Sequence, residues 1–302
     1  MAQDPIKSAL KAIKSLKIQG ASQVQKAAVN ALKKSVLKSR AKTVSEFRKE
    51  IEKNGKILAA ARPTEPETRT AVAVIVKASQ AELPLRELKK NVLKECSSFD
   101  ARRAEALKKI SLNGARILKK KSVVFTHCHS HTVEAVLTEA WKRGKLSKVI
   151  ATETRPKMQG RITAENLSKK GIPVTLIVDS AAYSFMKDAD VFISGADAVL
   201  HDGSVVNKIG TAQISFIAKK FNVPHFVATS SHKASIESLM GEKEKIEQRP
   251  AEEIWGKKMR NLKIENPAFD TTPAGLIKGI ITELGIFSTK KFVEKIGKEF
   301  RR

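Results

Sequence analysis

Cysteine, aromatic side chains and acidic charge are scarce in this sequence, and long apolar runs are missing. Its 302 residues include two Cys, two Trp, one Tyr and only 5% aromatics overall. Cys96 and Cys128 cannot build a disulfide framework or a four-thiolate zinc site. No stretch approaches the roughly 18 apolar residues that a membrane helix needs. The first twenty residues, MAQDPIKSALKAIKSLKIQG, have neither an apolar signal core nor a small-residue cleavage site. These absences lead us to expect a cytoplasmic, reducing environment and no membrane partner. Neither GxGxxG nor GxxxxGK[ST] occurs, so dinucleotide-binding and Walker-type readings have no support.

What the chain has in excess is positive charge: 57 Lys+Arg against 31 Asp+Glu, a formal net charge of +26. Such an excess points to phosphate-bearing partners: nucleic acid, nucleotides or sugar phosphates. Residues 1–45 carry ten Lys+Arg and a single acid, Asp4. A nucleic-acid partner is nevertheless not favoured, because no zinc-finger spacing, aromatic RNA-binding signature or pure basic tail accompanies the charge. Lysines in this number also suit the solvated faces of helices.

The first part of the chain reads as helical. Ile6, Leu10, Ile13 and Leu16 recur at helical spacing, and Gly20 ends that helix. Ser22 caps a second helix through Val24, Ala28, Leu32 and Val36. Further helices are expected over 43–61, 68–80 and 83–121, with Gly114 a weak point in the last. From residue 122 short Val/Ile-rich runs appear at 122–127, 148–154, 174–179, 190–197 and 225–230, separated by helical stretches. This alternation predicts βαβ units and a parallel sheet covered on both faces. The expected class is therefore α/β: a helical domain over 1–120, then a Rossmann-like parallel-sheet domain over 121–302.

Open sheets of this kind bind ligands outside the carboxyl ends of their strands. Those positions hold Thr126-His127-Cys128-His129-Ser130, Glu153-Thr154-Arg155-Pro156 with Gln159-Gly160, Asp179-Ser180, Gly195-Ala196-Asp197, Asn207-Lys208-Ile209-Gly210-Thr211 and Ser230-Ser231-His232-Lys233. The set suits a sugar phosphate or nucleotide. Cys128 is either a catalytic thiol, poised by neighbouring His and Lys charge and a helix N-terminus, or a small buried hydrophobe. Asp197 is either an acid or base group or the cap of a turn. The 207–211 segment suits an anion at a helix N-terminus. Gly20-Ala21-Ser22 suits a phosphate by the same physics, or is a plain turn between helices. His127, Cys128, His129 and His131 look like metal ligands, but alternation along an extended segment separates them, and no metal is expected.

Taken in order, these segments together with Asn266-Pro267-Ala268-Phe269-Asp270 and Thr272-Pro273 resemble the superfamily of translation initiation factor 2B alpha/beta/delta subunits and methylthioribose-1-phosphate isomerases, and within it the archaeal ribose-1,5-bisphosphate isomerases. The resemblance implies a helical domain followed by a Rossmann-like domain. It implies aldose–ketose isomerisation of ribose 1,5-bisphosphate to ribulose 1,5-bisphosphate in AMP breakdown, with Cys128 and Asp197 as the catalytic pair. It implies substrate contacts from Gly20, Ala21, Ser22, Arg62, Ser130, His131, Asn207, Lys208 and Lys233, no cofactor, AMP as an activator, and a homodimer or homohexamer. Where the isomerases look like Arg-Gly-Ala-Gly, this chain has Gln19-Gly20-Ala21-Ser22, and Glu65-Pro66-Glu67 also departs from the pattern. Within the same superfamily the other reading is a non-catalytic regulatory subunit that binds a nucleotide or sugar phosphate and a protein partner.

Overall fold

A computed structural model describes the chain except residues 1–3, 16, 19–20, 62–65, 236–237, 239, 242–245 and 301–302, and describes residues 21, 22, 299 and 300 by backbone alone. Two compact units divide at Glu105/Ala106. The sequence expectation placed the boundary at 120/121, where helical composition ends. The division falls earlier because Ile110 and Ala115, near the end of the last helix, pack into the core of the second unit.

The first unit holds α1 (Pro5–Lys14), α2 (Ala21–Lys38), α3 (Val44–Ala59), α4 (Pro66–Ala78) and most of α5 (Leu85–Ile117). Local chemistry sets the ends. Asp4 accepts from the amides of Ile6 and Lys7 at 2.9 and 3.4 Å, and Pro5 fills the first helical position, where no donor is needed. Thr43 caps α3 by accepting from the Glu46 amide at 3.1 Å. The guanidinium of Arg48 donates to the carbonyls of Ser79, Gln80 and Ala81, which satisfies acceptors just past the end of α4. Leu32, Phe47, Ile51, Leu58, Ile75 and Leu88 are fully buried and form one core. Cys96 belongs to that core, and its thiol is pushed up to about 11 by burial, as a structural cysteine's would be.

The second unit is built on a seven-stranded sheet. Its strands are β1 (Ser122–Thr126), β2 (Leu146–Thr152), β3 (Val174–Ile177), β4 (Val191–Ser194), β7 (His225–Ala228), β9 (Gly279–Thr282) and β10 (Gly285–Phe287), in the order β10-β9-β7-β4-β1-β2-β3. All neighbours are parallel except β10 with β9. The six parallel strands thus follow the doubly wound order, with β1 and β4 central. Val124, Val149 and Ile193 pack on one face with α6 (His131–Lys142) and α7 (Gln159–Ser168). Their neighbours Phe125, Ile150 and Phe192 pack on the other with α8 (Ala182–Met186) and α9 (Thr211–Lys220). Two covered faces are why these strands read as continuous apolar runs.

A second, antiparallel sheet was not anticipated: β5 (Ala198–Val199), β6 (Val205–Lys208) and β8 (Phe269–Thr272). A last helix, α10 (Thr289–Phe300), follows β10. Gly114 lies inside α5, where it costs helix propensity but makes room for a neighbour. A Cβ there would stand 2.5 Å from a methyl of Val136, so the glycine is what lets α5 lie against α6. Among the described residues no helix is long and apolar enough to cross a membrane.

Candidate active site

The chain leaves β1 toward one side of the sheet and continues from β4 toward the other, so a crevice opens at their carboxyl ends. Cys128 stands two residues beyond β1 and Asp197 three beyond β4. Gly195 lets the two strand ends approach. A Cβ on it would lie 2.8 Å from Ser130 Oγ and 4.0 Å from Asn207 Oδ1, so the ends of β1, β4 and β6 meet here. Behind β4, buried His225 donates from Nδ1 to Ser215 Oγ (3.0 Å), whose own proton goes to the Thr211 carbonyl (2.7 Å). His225 Nε2 lies 2.9 Å from Ser194 Oγ, whose hydroxyl also donates to the Gly195 carbonyl at 3.0 Å. Burial pushes this imidazole down to about 3, which keeps it a neutral brace.

Cys128 adopts a left-handed backbone conformation, φ 67°, and Thr154 another, φ 64°. Each costs roughly 1–2 kcal/mol for a non-glycine residue, so both must be held in place. The Cys128 amide donates to Thr154 Oγ1 at 2.9 Å, and its carbonyl accepts from Thr163 Oγ1 at 3.1 Å. The Asp179 carboxylate accepts from the amides of Thr154 (2.8 Å) and Arg155 (2.6 Å). Gly160 is required against this loop, since a Cβ there would come within 1.7 Å of the Thr152 carbonyl oxygen. The thiol lies 3.8 Å from Gln159 Oε1. Burial pushes it up to about 11; Lys208 pulls it down, while Asp197 and Asp179 add to the rise. The free protein therefore holds a thiol at neutral pH, not the thiolate expected from neighbouring positive charge.

The histidines explain part of that difference. His127 lies against two acceptor-or-hydroxyl partners: the Ile209 carbonyl 2.9 Å from Nε2 and Thr152 Oγ1 2.6 Å from Nδ1. A carbonyl only accepts, so Nε2 carries the proton and Nδ1 accepts from the hydroxyl. Burial lowers its pKa, and the ring ties β1 to the β6–α9 turn as a neutral group. His129 donates from Nδ1 to Thr163 Oγ1 at 3.0 Å, and burial and His131 hold its pKa down. Neither ring lends charge to the thiol.

His129, His131 and Glu134 bring possible ligand atoms within 4.8 Å of one another. Glu134 already accepts from Lys170 at 2.5 Å and Asn166 at 3.0 Å. Burial works against its charge, but Lys170 and Asn166 outweigh it and hold the carboxyl below its usual range. Neither His127 nor Cys128 joins this cluster. Ser130 caps α6 by accepting from the Val133 amide at 3.4 Å, and His131 is exposed on its first turn.

On the third side, Asn207 and Lys208 close β6. Asn207 Nδ2 donates to Thr211 Oγ1 at 3.0 Å, and that hydroxyl donates to the Lys208 carbonyl at 2.6 Å. The Lys208 ammonium lies 4.9 Å above the Phe269 ring. Lys233 donates to the Ala196 carbonyl at 2.6 Å, one residue before Asp197 in the chain. The Asp197 amide donates to Val206 at 2.8 Å, and its side chain is half-buried.

The N-terminus of α9, expected to receive a ligand anion, is already met by one of the protein's own. Asp270 accepts from the amides of Gly210 (2.7 Å) and Ala212 (3.2 Å). Asp270 sits in a segment singled out in the sequence, but nothing local says that its carboxylate reaches a helix sixty residues away. Of the expected substrate residues, Gly20 and Arg62 lie outside the described residues. Ala21 and Ser22 open α2, and their side chains lie outside the description.

Residues 17–289 match the initiation factor 2 subunit family. A curated relative, ribose 1,5-bisphosphate isomerase of Methanocaldococcus jannaschii, is 39% identical over 285 residues, covering 94% of this chain and 91% of its own. A solved structure of 5-methylthioribose 1-phosphate isomerase from Pyrococcus horikoshii OT3 superposes with a TM-score of 0.81 at 30% identity, covering 97% of this chain and 88% of that one. The translation initiation factor eIF-2B of the same organism superposes at 0.83 with 26% identity, covering 96% and 99%.

Proposed function

Since this chain belongs to the initiation factor 2 subunit family, we propose that it is a sugar-phosphate aldose–ketose isomerase acting on ribose 1,5-bisphosphate to give ribulose 1,5-bisphosphate. One observation carries the reading: a buried thiol, Cys128, and a half-buried carboxylate, Asp197, stand on adjoining strand ends at the switch point, with Lys208 acting electrostatically on the thiol.

The reaction needs those groups. C1 of the substrate carries both the ring oxygen and a phosphate, so the ring opens as the bond from C1 to the ring oxygen breaks, that oxygen gains a proton and C2 loses its proton to a base. The resulting enol phosphate regains a proton at C1 while the oxygen at C2 loses one, and the phosphate stays on the C1 oxygen throughout. Cys128, once ionised, takes and returns the carbon-bound proton. Asp197 handles the oxygens. Each such role contributes roughly 100- to 10,000-fold. A thiol near 11 is ionised in only about one molecule in ten thousand at pH 7, so the thiolate is the scarce form and the rate follows its abundance. Lys208 and Lys233 neutralise phosphate, Asn207 and Ser130 orient hydroxyls, and His131 stands at the rim. Arg62 and the Gly20-Ala21-Ser22 turn serve the second phosphate by the family resemblance, with AMP as an activator of a dimer or hexamer.

The initiation-factor name of one structural neighbour favours a second reading, a regulatory subunit that binds a sugar phosphate or nucleotide without turning it over. Such a subunit has no use for a thiol beside a carboxylate, which is why the enzyme is preferred. A substrate panel separates the readings. Purified protein is given ribose 1,5-bisphosphate or 5-methylthioribose 1-phosphate and the products are read by NMR. Ribulose 1,5-bisphosphate is the expected product; binding with no turnover of either sugar would select the regulatory subunit.

A further inference from the structure

Lys208 is the charge that opposes burial at the Cys128 thiol, so whatever fixes Lys208 bears on the thiol. Lys208 ends β6, and the chain then turns through Ile209 and Gly210 into α9. Gly210 has φ 99°, a conformation that leaves the turn little intrinsic stiffness of its own. The turn is held from outside. β8 pairs with β6 so that Asp270 lies opposite Asn207 and Phe269 opposite Lys208. The Ile209 amide donates to the Ala268 carbonyl at 3.1 Å, and the Ile209 carbonyl accepts from His127. Asp270 then reaches past the strand and takes the Gly210 and Ala212 amides on its carboxylate.

Two residues of β8 therefore act on the same lysine. Phe269 lies under its ammonium, and Asp270 pins the backbone that follows it. The carboxylate is well matched to this task, because a helix N-terminus favours an anion. Burial nevertheless raises Asp270 to about 6 against the pull of those amides, so its charge is retained at neutral pH at some cost. A helix cap chosen for stability alone would not need a half-buried charge, since a Ser or Asn side chain caps as well.

We infer that Asp270 is a positioning residue, whose carboxylate on the first turn of α9 holds the Asn207–Gly210 segment so that Lys208 stays within electrostatic reach of the Cys128 thiol. This rests on reading Cys128 and Lys208 as working residues, and it is tested on the thiol itself, without substrate. The charged groups acting on that thiol are Lys208 at the end of β6, Asp197 after β4 and Asp179 after β3. Of these charges only Lys208 lowers it, beside a hydrogen bond from the His129 backbone, and loosening its segment leaves the two carboxylates opposed by that bond alone.

The test is the rate of Cys128 alkylation by iodoacetamide across alkaline pH, read by mass spectrometry so that the Cys128 and Cys96 peptides are counted separately. Asp270→Asn and Lys208→Gln are each expected to slow Cys128 about tenfold at a fixed pH, the effect of a one-unit rise. The double variant is expected to be no slower than Lys208→Gln alone, because both changes act through one charge. Asp270→Glu, which keeps the charge, is expected to recover most of the rate. An Asp270→Asn protein that melts earlier yet alkylates at the wild-type rate would reduce Asp270 to a cap, as would losses that multiply in the double variant. Should Asp270→Asn fail to fold, Asp270→Ser, which can still cap the helix but carries no charge, decides: Cys128 slowed about tenfold supports the inference, and a wild-type rate overturns it. The alkylation result holds or fails whichever sugar phosphate the protein isomerises.

Discussion

His127 donates to the carbonyl of Ile209 across 2.9 Å, and this bond joins the segment that leads from β1 to Cys128 to the turn that follows Lys208. The pair lies 82 residues apart in sequence. It makes the histidine beside Cys128 a strut between the segments that carry two candidate residues.

His127→Ala should leave the Ile209 carbonyl and the Thr152 hydroxyl without their partner in a buried place. Each such group costs roughly 1–3 kcal/mol. Urea unfolding should register a loss of that order, and the variant's activity should fall without a new pH dependence, since the ring is neutral throughout the working range.

The pH dependence of catalysis follows from the thiol. With Cys128 near 11, the thiolate fraction rises tenfold per pH unit below that value. The account expects kcat/KM to climb with pH through the neutral and mildly alkaline range. A profile that is flat or falling from pH 6 to 9 would show that the thiolate is not the limiting species.

Asp270 makes the opposite sign visible in stability. Its folded pKa is raised, from 3.8 to about 6, chiefly by burial. The folded state therefore binds the proton more tightly than the unfolded chain does. The favourable contribution is complete below pH 4 and is lost as pH rises through 6. Comparing wild type with Asp270→Asn by urea unfolding at pH 4 and pH 7 isolates this. The wild type should lose stability relative to the variant on going up in pH.

Two glycines in helices should respond in opposite directions to alanine. Gly114→Ala gains helix propensity of about 1 kcal/mol but drives a Cβ to 2.5 Å from Val136, so a net loss of about 1–3 kcal/mol is expected. Gly297, in α10, has nothing within 4 Å of an added Cβ, and Gly297→Ala should raise the melting temperature. Thermal unfolding of the two variants reads both.

Much of this was legible in the sequence because the two faces of the main sheet are both covered. Val124 and Phe125, adjacent in β1, enter different cores, and so the run looks apolar throughout. The rule that ligands bind outside strand ends then singles out Cys128 and Asp197 from the sequence. The small sheet escaped for the converse reason: β5 has two residues, and β6 joins Val205-Val206 to polar Asn207-Lys208, a pattern no different from a loop. The state of the thiol escaped too. Burial and the outward ties of His127 and His129 are long-range facts, and sequence proximity alone had suggested activation. Asp270 was visible as part of a segment but not as an anion, because its partners belong to another element.

The central claim is that Cys128 and Asp197 move protons on a sugar phosphate. The most direct measurement follows ribose 1,5-bisphosphate in deuterium oxide with wild type and Cys128→Ser, reading ribulose 1,5-bisphosphate formation and deuterium at its C1 by NMR. The account predicts ketose formation by wild type with solvent deuterium entering C1, and a loss of about 100-fold or more in Cys128→Ser. Wild type no faster than Cys128→Ser would contradict it.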